Sequence, residues 1–378
     1  MNNDIALLPP KAELETKRVL RKAASANRFL AELKGMSETI PNETILINTL
    51  TLQEAKDSSA IENIITTHDE MYKAQLFEEM FVSASAKEVS KYADALIYGF
   101  ELVRKNKILT ENFILKIQKI LEQNDAGYRR LPGTSLINER TGKTIYTPPQ
   151  DYDTIVRLMK NLIKYLNDDK VHDIDPLIKM AIIHFQFETI HPFYDGNGRT
   201  GRIINILYLV LNELLNIPIL YLSRYIIQYK GDYYRHLQNV RETGEWEDWI
   251  LYILDGIEQT SRETIDLIVN IRNLMQQYKK DIRSKMPKVY SQDLLNNLFR
   301  HPYTKIDFVM RDLEVSWLTA RRYLELLVSN GFLSKEKIGR SNFYINKPLF
   351  ALFIGEPIKV QETEPIKTVN PDTSARKL

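Results

Sequence analysis

The stretch from His191 to Arg202, HPFYDGNGRTGR, holds the side chains that could act on a phosphoryl group. Its three glycines let the backbone approach an anion closely, and the helix predicted to follow directs free N–H groups at that anion. Arg199 and Arg202 can reach one polyphosphate together. Asp195 is a hard oxygen ligand that suits Mg²⁺, and His191 titrates near neutral pH and can take a proton from a hydroxyl.

Two plainer interpretations of this stretch compete with a phosphate site. A glycine-rich elbow with two arginines is also typical of a tight surface turn, and a His and an Asp four residues apart could belong to a metal site. No third metal ligand is evident beside the pair. A surface turn does not require the histidine, the aspartate and the arginines in this register, so the stretch favours an anion-binding elbow with a general base.

The elbow must be held by the helices predicted on its two sides. Asp175 as N-cap and Pro176 at the first helical position begin a helix over 175–190, and an apolar helix is predicted over 202–215. Further amphipathic helices are predicted over 11–33, 51–65, 87–105, 110–123, 152–167, 230–241 and 246–282. The fold class predicted up to this point is therefore mainly α.

Two regions depart from the helical pattern. Residues 134–147 predict a β-hairpin that turns at Glu139 to Gly142, and an exposed strand edge of such a hairpin can pair with an extended protein segment. Residues 291–350 predict three short helices and a β-pair that turns at Gly339 and Arg340, which is typical of a winged helix-turn-helix. This unit carries more basic than acidic side chains.

Composition excludes several classes of protein. The 378 residues contain no cysteine, which excludes a disulfide scaffold, a thiolate zinc site and a cysteine nucleophile. The 51 basic and 49 acidic side chains give a net charge of +2. The chain as a whole therefore has no strong electrostatic attraction for nucleic acid or an anionic membrane surface. The absence of cysteine and of an apolar N-terminal run predicts a cytoplasmic protein.

The elbow resembles the motif of the Fic-domain adenylyltransferases, HPFx[D/E]GNGRxxR, at every defined position. The helix IIHFQFETI before it and the run Ala126 to Arg129 before the hairpin add to this resemblance, which spans roughly residues 15–255. It implies a mainly α Fic core with a β-hairpin flap, an N-terminal helical domain and a C-terminal winged helix-turn-helix. The implied domains are 1–100, the catalytic core 101–282, the winged unit 286–352 and a disordered tail 353–378.

The resemblance also implies a role for each residue of the elbow. His191 would be the general base that activates a Ser, Thr or Tyr hydroxyl of a target protein for attack on the α-phosphate of ATP. Asp195 would hold Mg²⁺ or Mn²⁺. Nucleotide contacts would come from Gly196, Asn197, Gly198, Arg199, Thr200, Gly201 and Arg202, with the backbone of the first three forming an anion hole. Pyrophosphate would leave, and AMP would stay on the target.

Two further elements are assigned by the same resemblance. Tyr233 and Tyr234 match the aromatic element beside the adenine, although two tyrosines on a helix are also ordinary packing residues. In the hairpin, the target-binding flap would be Lys143, Thr144, Ile145 and Tyr146, and an ordinary surface hairpin is the plainer alternative.

An inhibitory signature of this family, [S/T]xxxE[G/N], matches Ser58, Glu62 and Asn63. Its position before the core implies the class with an N-terminal inhibitory helix. Glu62 would pair with Arg202 and remove that guanidinium from phosphate binding. The plainer interpretation of so loose a pattern is a solvated helix end.

Taken together, the sequence predicts a protein adenylyltransferase restrained by Glu62, which acts on a target protein; the enzyme itself is one candidate target. The alternatives are a nucleotide-sensing, DNA-binding regulator and an enzyme that removes AMP with the same site. A homodimer is a further expected partner. For residues 291–350 a structural or protein-contact role is favoured over DNA binding, and no membrane partner is expected.

Overall fold

Helices form most of the structure, a computed structural model that describes residues 5–74, 83–138, 141–338, 341–354 and 366–369. The first helices are α1 (Lys17–Ser37), α2 (Glu43–Ile61), α3 (His68–Ala74), α4 (Ala84–Asn106), α5 (Glu111–Glu122), α6 (Tyr152–Asn167), α7 (Pro176–Ile190) and α8 (Asn197–Leu211). The others are α9 (Ser223–Gln228), α10 (Lys230–Thr243), α11 (Glu247–Lys285), α12 (Gln292–Arg300), α13 (Ile306–Leu313), α14 (Trp317–Ser329) and α15 (Lys347–Ile354). The prediction of a mainly α fold is confirmed.

The central helices of the fold are α7 and α8, which flank the elbow. From Leu177 onward every residue of α7, polar ones included, is buried, because apolar side chains occur around the whole helix and other helices pack against it. The Asp175 carboxylate accepts the Leu177 N–H at 2.8 Å, as predicted for the N-cap. The second helix begins at Asn197 and not at 202, because Gly196 takes a left-handed conformation (φ 73°) from which the helix can start at once.

One hydrophobic core joins the predicted domains. It contains apolar residues from Leu8 to Phe353, and α1 packs along the 39-residue helix α11. That helix runs to Lys285, across the border predicted at 282, so the structure does not separate the domains there and their boundaries stay predictions. Among the described residues, no helix combines the length and the apolar composition of a membrane span.

The predicted hairpin is part of a three-stranded antiparallel sheet. Its strands are β1 (Ser135–Asn138) and β2 (Thr144–Tyr146), and β1 also pairs with a strand from the C-terminal region of the chain, Ile366–Val369, in the order β2, β1, C-terminal strand. The turn predicted at Glu139 to Gly142 lies in part outside the described residues, since 139 and 140 are not among them.

The C-terminal unit has the element order predicted for it. Helices α12, α13 and α14 are followed by an antiparallel pair, and a short strand completes a sheet of β3 (Tyr303–Thr304), β4 (Ser334–Ile338) and β5 (Ser341–Ile345) in the order β3, β5, β4. The predicted turn at residues 339–340 lies outside the described residues.

Two stretches of the tail 353–378 have regular backbone, and the predicted disorder of the tail stays a prediction. Helix α15 ends inside it at Ile354, and Ile366–Val369, named β6 from here on, is extended and hydrogen-bonded to β1. The remaining tail residues, 355–365 and 370–378, lie outside the described ones.

Tyr72 of α3 fixes the C-terminal unit to the N-terminal helices. Its side chain is fully buried, and its hydroxyl accepts a hydrogen bond from the Gln53 amide of α2 at 3.2 Å. Its ring lies within 6.4 Å, centroid to centroid, of four rings of the C-terminal unit: His301, Tyr303, Phe350 and Phe353. The segment that follows α2 is therefore held between α2 and the C-terminal unit.

Replacing this ring should destabilise the protein strongly. Tyr72→Ala removes a buried aromatic side chain, and we expect the free energy of unfolding to fall by about 3–5 kcal/mol in urea titrations. Tyr72→Phe is the matched control, because it keeps the ring and loses one hydrogen bond worth about 1 kcal/mol. Equal stability of the alanine and phenylalanine variants would contradict this packing role.

Candidate active site

His191 is the C-cap residue of α7, where the backbone turns into the elbow. It has a left-handed conformation (φ 50°), and its N–H donates to the Phe187 carbonyl at 2.9 Å. Its own carbonyl accepts from Nε of Arg129 at 2.8 Å, and the Arg129 N–H donates to the Pro192 carbonyl. The last turn of α7 and a buried arginine thus fix the histidine backbone.

The imidazole of His191 is neutral in this structure. It is only 5% exposed, and burial together with the nearby cations Arg129 and Arg241 lowers its pKa to about 3. Glu62 and a hydrogen bond with the backbone of Glu188 act in the opposite direction but are outweighed. An unprotonated imidazole is the form that can accept a proton from a hydroxyl.

The elbow is closed by the side chain of Asn197. Its Oδ1 accepts from the Phe193 N–H and its Nδ2 donates to the Phe193 carbonyl, both at 2.8 Å. The exposed Asp195 carboxylate accepts the Gly196 N–H at 2.7 Å. The loop therefore leads directly into the positive N-terminal end of α8, with one carboxylate at its solvent side.

Arg202 is enclosed by the end of α2. This arginine is 3% exposed, and its Nε donates to the Ser58 hydroxyl at 2.7 Å. Its Nη2 donates to the Ser58 carbonyl at 3.1 Å and to Oε1 of Glu62 at 2.8 Å. The structure thus brings together Ser58, Glu62 and Arg202 as the sequence predicts, while Asn63 follows as an exposed residue with φ 62°.

The pair of Glu62 and Arg202 is fully ionised. Burial opposes the charge on Glu62, but the Arg202 guanidinium outweighs it and holds the pKa of this carboxyl below its usual value. A Cβ atom at Gly198 would collide with the Glu62 carboxylate, so the carboxylate lies directly against the first turn of α8. The anion-binding end of this helix thus already has an anion beside it.

Arg199 also has carboxylate partners, and the sequence analysis missed them. Its Nη1 donates to Glu88 of α4 at 3.0 Å and its Nη2 to Glu122 of α5 at 2.8 Å. The arginine is 5% exposed in its side chain, so both outer nitrogens are engaged inside the protein. Glu88 and Glu122 are distant in sequence and match no motif, so only the packing of α4 and α5 on α8 reveals them.

The flap hairpin is tied to the residues just before His191. The Tyr146 hydroxyl donates to the Thr189 carbonyl at 2.9 Å, and the Arg241 guanidinium lies over the Tyr146 ring, 3.9 Å from its centroid. The other predicted flap residues are exposed or partly exposed: Lys143, Thr144 and Ile145. The hairpin therefore stands at a fixed place beside the candidate base.

Several predicted nucleotide residues lie inside the core. Thr200 is fully buried, and Tyr233 is 2% exposed and hydrogen-bonded through its hydroxyl to Nε2 of His184 at 2.9 Å. Tyr234 is partly exposed, with its ring 5.1 Å from that of Tyr233. Of the two tyrosines, only Tyr234 is therefore accessible from the surface.

Asp195 fits a magnesium ion that is held mainly by substrate. Within the described ranges, no group of three or more histidine, cysteine, aspartate or glutamate side chains is placed to hold a metal. Mg²⁺ uses one or two carboxylates and completes its shell with water and phosphate oxygens, which a single exposed carboxylate at an anion-binding loop allows.

Glu188 is a further ionisable group of the site that the sequence analysis missed. It lies on α7, one turn before His191, and burial raises its pKa to about 7 despite the neighbouring Arg202. Its Oε1 has no hydrogen-bond partner among the described residues, and a Cβ atom at Gly201 would contact it closely. The carboxyl is therefore protonated in much of the range below neutral pH.

Three protein-family models match successive stretches of the chain. They are the Fic/DOC family N-terminal model at residues 20–101, the Fic/DOC family model at 108–209, and the C-terminal domain model of SoFic-like protein adenylyltransferases at 274–349. The chain belongs to the Fic/DOC family. The elbow, its base and the hairpin all lie within the second match, and Glu62 lies within the first.

Curated relatives agree with this membership. A probable protein adenylyltransferase of Aquifex aeolicus is 30% identical over 184 residues, 47% of this chain and 53% of that protein. The protein adenylyltransferase Fic of Aedes aegypti is 29% identical over 163 residues, 42% of this chain and 30% of that protein. The chain thus spans about half or less of these relatives.

A structural neighbour shows the fold over almost the whole chain. The crystal structure of a Fic family protein from Desulfovibrio desulfuricans has a TM-score of 0.56 and 18% identity, and the match covers 89% of this chain and 98% of that one. Over the matched part, the arrangement of helices is common to both proteins.

The raised pKa of Glu188 should make the free energy of unfolding depend on pH. Its pKa of about 7 in the folded protein lies above the ordinary glutamate value of 4.5. Between these two pH values the native state therefore binds more protons than the unfolded state, and the free energy of unfolding falls as pH rises. The side chain of Glu188→Gln cannot titrate. Between about pH 4.5 and pH 7 the free energy of unfolding of this variant should therefore decrease by roughly 3 kcal/mol less than that of the wild type, as measured by urea titrations at several pH values.

The exposed Glu38→Gln is a matched control for Glu188→Gln and should keep the wild-type dependence. Some of the fall remains in every variant, because burial also raises the pKa of Glu54 to about 7. An unchanged slope in Glu188→Gln would show that the Glu188 carboxyl is not held protonated by the fold.

Proposed function

We propose that this protein transfers AMP from ATP to a Ser, Thr or Tyr hydroxyl of a protein, including its own chain. Family membership and the names of the curated relatives support the reaction. The observation that carries the proposal is the neutral, buried imidazole of His191 at the entrance to the helix end that bears Arg199 and Arg202.

In this reaction the target oxygen attacks the α-phosphorus of ATP while its proton passes to the His191 imidazole. The bond from the α-phosphorus to the bridging oxygen breaks, pyrophosphate leaves with the electron pair, and AMP stays on the target oxygen. The charge of the bound triphosphate raises the basicity of an imidazole that is otherwise held neutral by burial and two arginines.

The first turn of α8 supplies the phosphate contacts. The N–H groups at Asn197 and Gly198 and the partial positive charge of the helix end attract the phosphates, and Arg199 and Arg202 contribute full charges. Asp195 would hold Mg²⁺ or Mn²⁺, which when bound neutralises phosphate charge. Tyr234 is the proposed contact for the adenine.

Glu62 is the proposed internal brake. The Nη2 atom of Arg202 donates a hydrogen bond to Glu62, and a phosphate oxygen would require the same atom. A phosphate can therefore use all the donors of this guanidinium only after Glu62 has moved away. Ser58 holds Nε of the same arginine and so orients its outer nitrogens toward Glu62. With Glu62 in place the triphosphate is misaligned for attack, and small misalignment costs much rate.

Removing the brake should raise AMP transfer. In Glu62→Gly, incorporation of labelled AMP into the enzyme or into proteins of a cell lysate should rise by roughly 100-fold, because Arg202 is released for phosphate. Glu38→Gly is the matched control, since Glu38 is likewise an exposed helix C-cap and should leave incorporation unchanged.

The same assay tests the base. His191→Ala in the Glu62→Gly background should abolish incorporation, because the hydroxyl then has no acceptor for its proton. Mass spectrometry should find one AMP on a hydroxyl side chain of each product. Incorporation that is equal in wild type and Glu62→Gly would reject the brake, and incorporation that survives His191→Ala would reject the base.

The metal requirement can be tested at Asp195. Chelation of divalent ions should abolish AMP incorporation by Glu62→Gly, and Asp195→Asn should shift the Mg²⁺ dependence of the rate to higher concentrations, because a carboxamide binds Mg²⁺ more weakly than a carboxylate. An unchanged Mg²⁺ dependence in Asp195→Asn would show that this carboxylate does not hold the ion.

A further inference from the structure

Donors from three distant parts of the chain meet the carbonyl end of α7. A helix leaves its last four carbonyls without partners inside the helix, so they need donors from elsewhere. The Thr189 carbonyl accepts from the Tyr146 hydroxyl of the flap at 2.9 Å, and the Ile190 carbonyl accepts from Nη2 of Arg129 at 3.4 Å. The third donor is Arg241 of α10.

Arg241 contacts both the helix end and the flap. Its Nη2 donates to the Glu188 carbonyl and its Nε donates to the Thr189 hydroxyl, each at 3.3 Å. Its guanidinium also lies over the ring of Tyr146 in β2, 3.9 Å from the ring centroid. One side chain of α10 thus connects the end of α7 with the flap strand.

The same helix end holds the ring of His191. The imidazole forms a hydrogen bond with the backbone of Glu188, whose carbonyl also accepts from Arg241. The carbonyl, hydroxyl and aromatic ring that Arg241 contacts are uncharged, so they do not neutralise its positive charge. This charge and that of Arg129 oppose protonation of the imidazole, whereas the carboxylate of Glu62 favours it.

We propose that Arg241 is a positioning residue of AMP transfer, which holds the flap strand β2 and the His191 imidazole in one arrangement at the end of α7. The proposal rests on the proposed function, in which the target hydroxyl must lie within hydrogen-bond distance of the imidazole. The flap that would present the target and the base that would take its proton are then fixed by the same guanidinium. A small displacement of either would cost much rate.

The kinetic test compares Arg241→Gln and Arg241→Lys in the Glu62→Gly background, with the rate of AMP incorporation measured against ATP concentration and pH. In Arg241→Gln the maximal rate should fall by roughly 100-fold, because flap and base lose their common anchor, while the KM for ATP should change by less than about twofold. The acid-side midpoint of the rate profile should rise by about one pH unit, because one cation beside the imidazole is gone. Arg241→Lys keeps the charge, so its rate should fall without a shift of this midpoint.

Hydrogen exchange tests the same contacts without any AMP transfer. The amides of β2 should exchange roughly tenfold faster in Arg241→Gln than in the parent chain, because the loss of the stacked cation favours local opening of the flap. Arg262→Gln is the matched control, since its guanidinium stacks on the Phe29 ring at 3.8 Å but belongs to α11 and contacts α1. This control should leave both the exchange of β2 and the rate unchanged.

A raised KM for ATP with an unchanged maximal rate in Arg241→Gln would show that this arginine binds the nucleotide, and would overturn the proposal. If Arg241→Gln does not fold, a full rate in Arg241→Lys would overturn it, because a lysine cannot make all three contacts at once.

The two measurements separate this proposal from the proposed function. No AMP incorporation by Glu62→Gly, together with faster exchange of β2 in Arg241→Gln, would reject the proposed function and leave the contact between Arg241 and the flap established. Normal incorporation by Glu62→Gly, together with an unchanged rate and unchanged exchange in Arg241→Gln, would reject the positioning role alone.

Discussion

The arrangement of the site depends on one buried guanidinium, that of Arg202, which requires an anionic partner. Arg202 lies within the core beside the first turn of α8, where its charge would be costly without a counter-ion. Glu62 meets that need in the structure, and the guanidinium keeps the Glu62 carboxyl ionised although burial opposes its charge. In the proposed function a triphosphate would compete with Glu62 for the same arginine, so the site would have two states that exclude each other.

The helices around the elbow position the carboxylates that take part in this exchange of anions. The helix α2 must end at the elbow to deliver Glu62, and it is held there from the far side by α3 and the C-terminal unit through Tyr72. Arg199 is likewise paired with carboxylates, since its two outer nitrogens donate hydrogen bonds to Glu88 and Glu122. In the proposed function, nucleotide binding would displace the carboxylates of α4 and α5 and the one at the end of α2, which would link the N-terminal helices to catalysis.

Contiguous features of the site could be predicted from the sequence, and contacts between distant segments could not. The elbow, its glycines and His191 lie in one continuous run of residues, and the residue types and spacing of this run indicate a phosphate-binding site. Glu62 belongs to a short signature of its own. Glu88, Glu122 and Glu188 carry no such pattern, because their role arises only when α4, α5 and α7 pack against α8. The start of α8 was placed too late, because Gly196 lets the helix begin within the motif.

The same limit applies to the strands. The hairpin was predicted from its alternation and its prolines, whereas its third strand comes from a tail whose polar composition predicted disorder. Pairing of β6 requires only main-chain groups and an open edge, which composition does not report. Likewise, Tyr233 matched an adenine-binding position by sequence, yet its hydroxyl is bonded to His184 in the core.

The most direct test of the exchange at Arg202 is calorimetry of nucleotide binding to His191→Ala chains, which cannot turn over, with and without Glu62→Gly. The account predicts that Glu62→Gly raises the affinity for ATP about tenfold or more, the value of one charge-assisted hydrogen bond, and leaves the affinity for AMP unchanged because AMP has no outer phosphates. An ATP affinity that is the same in both chains would contradict it.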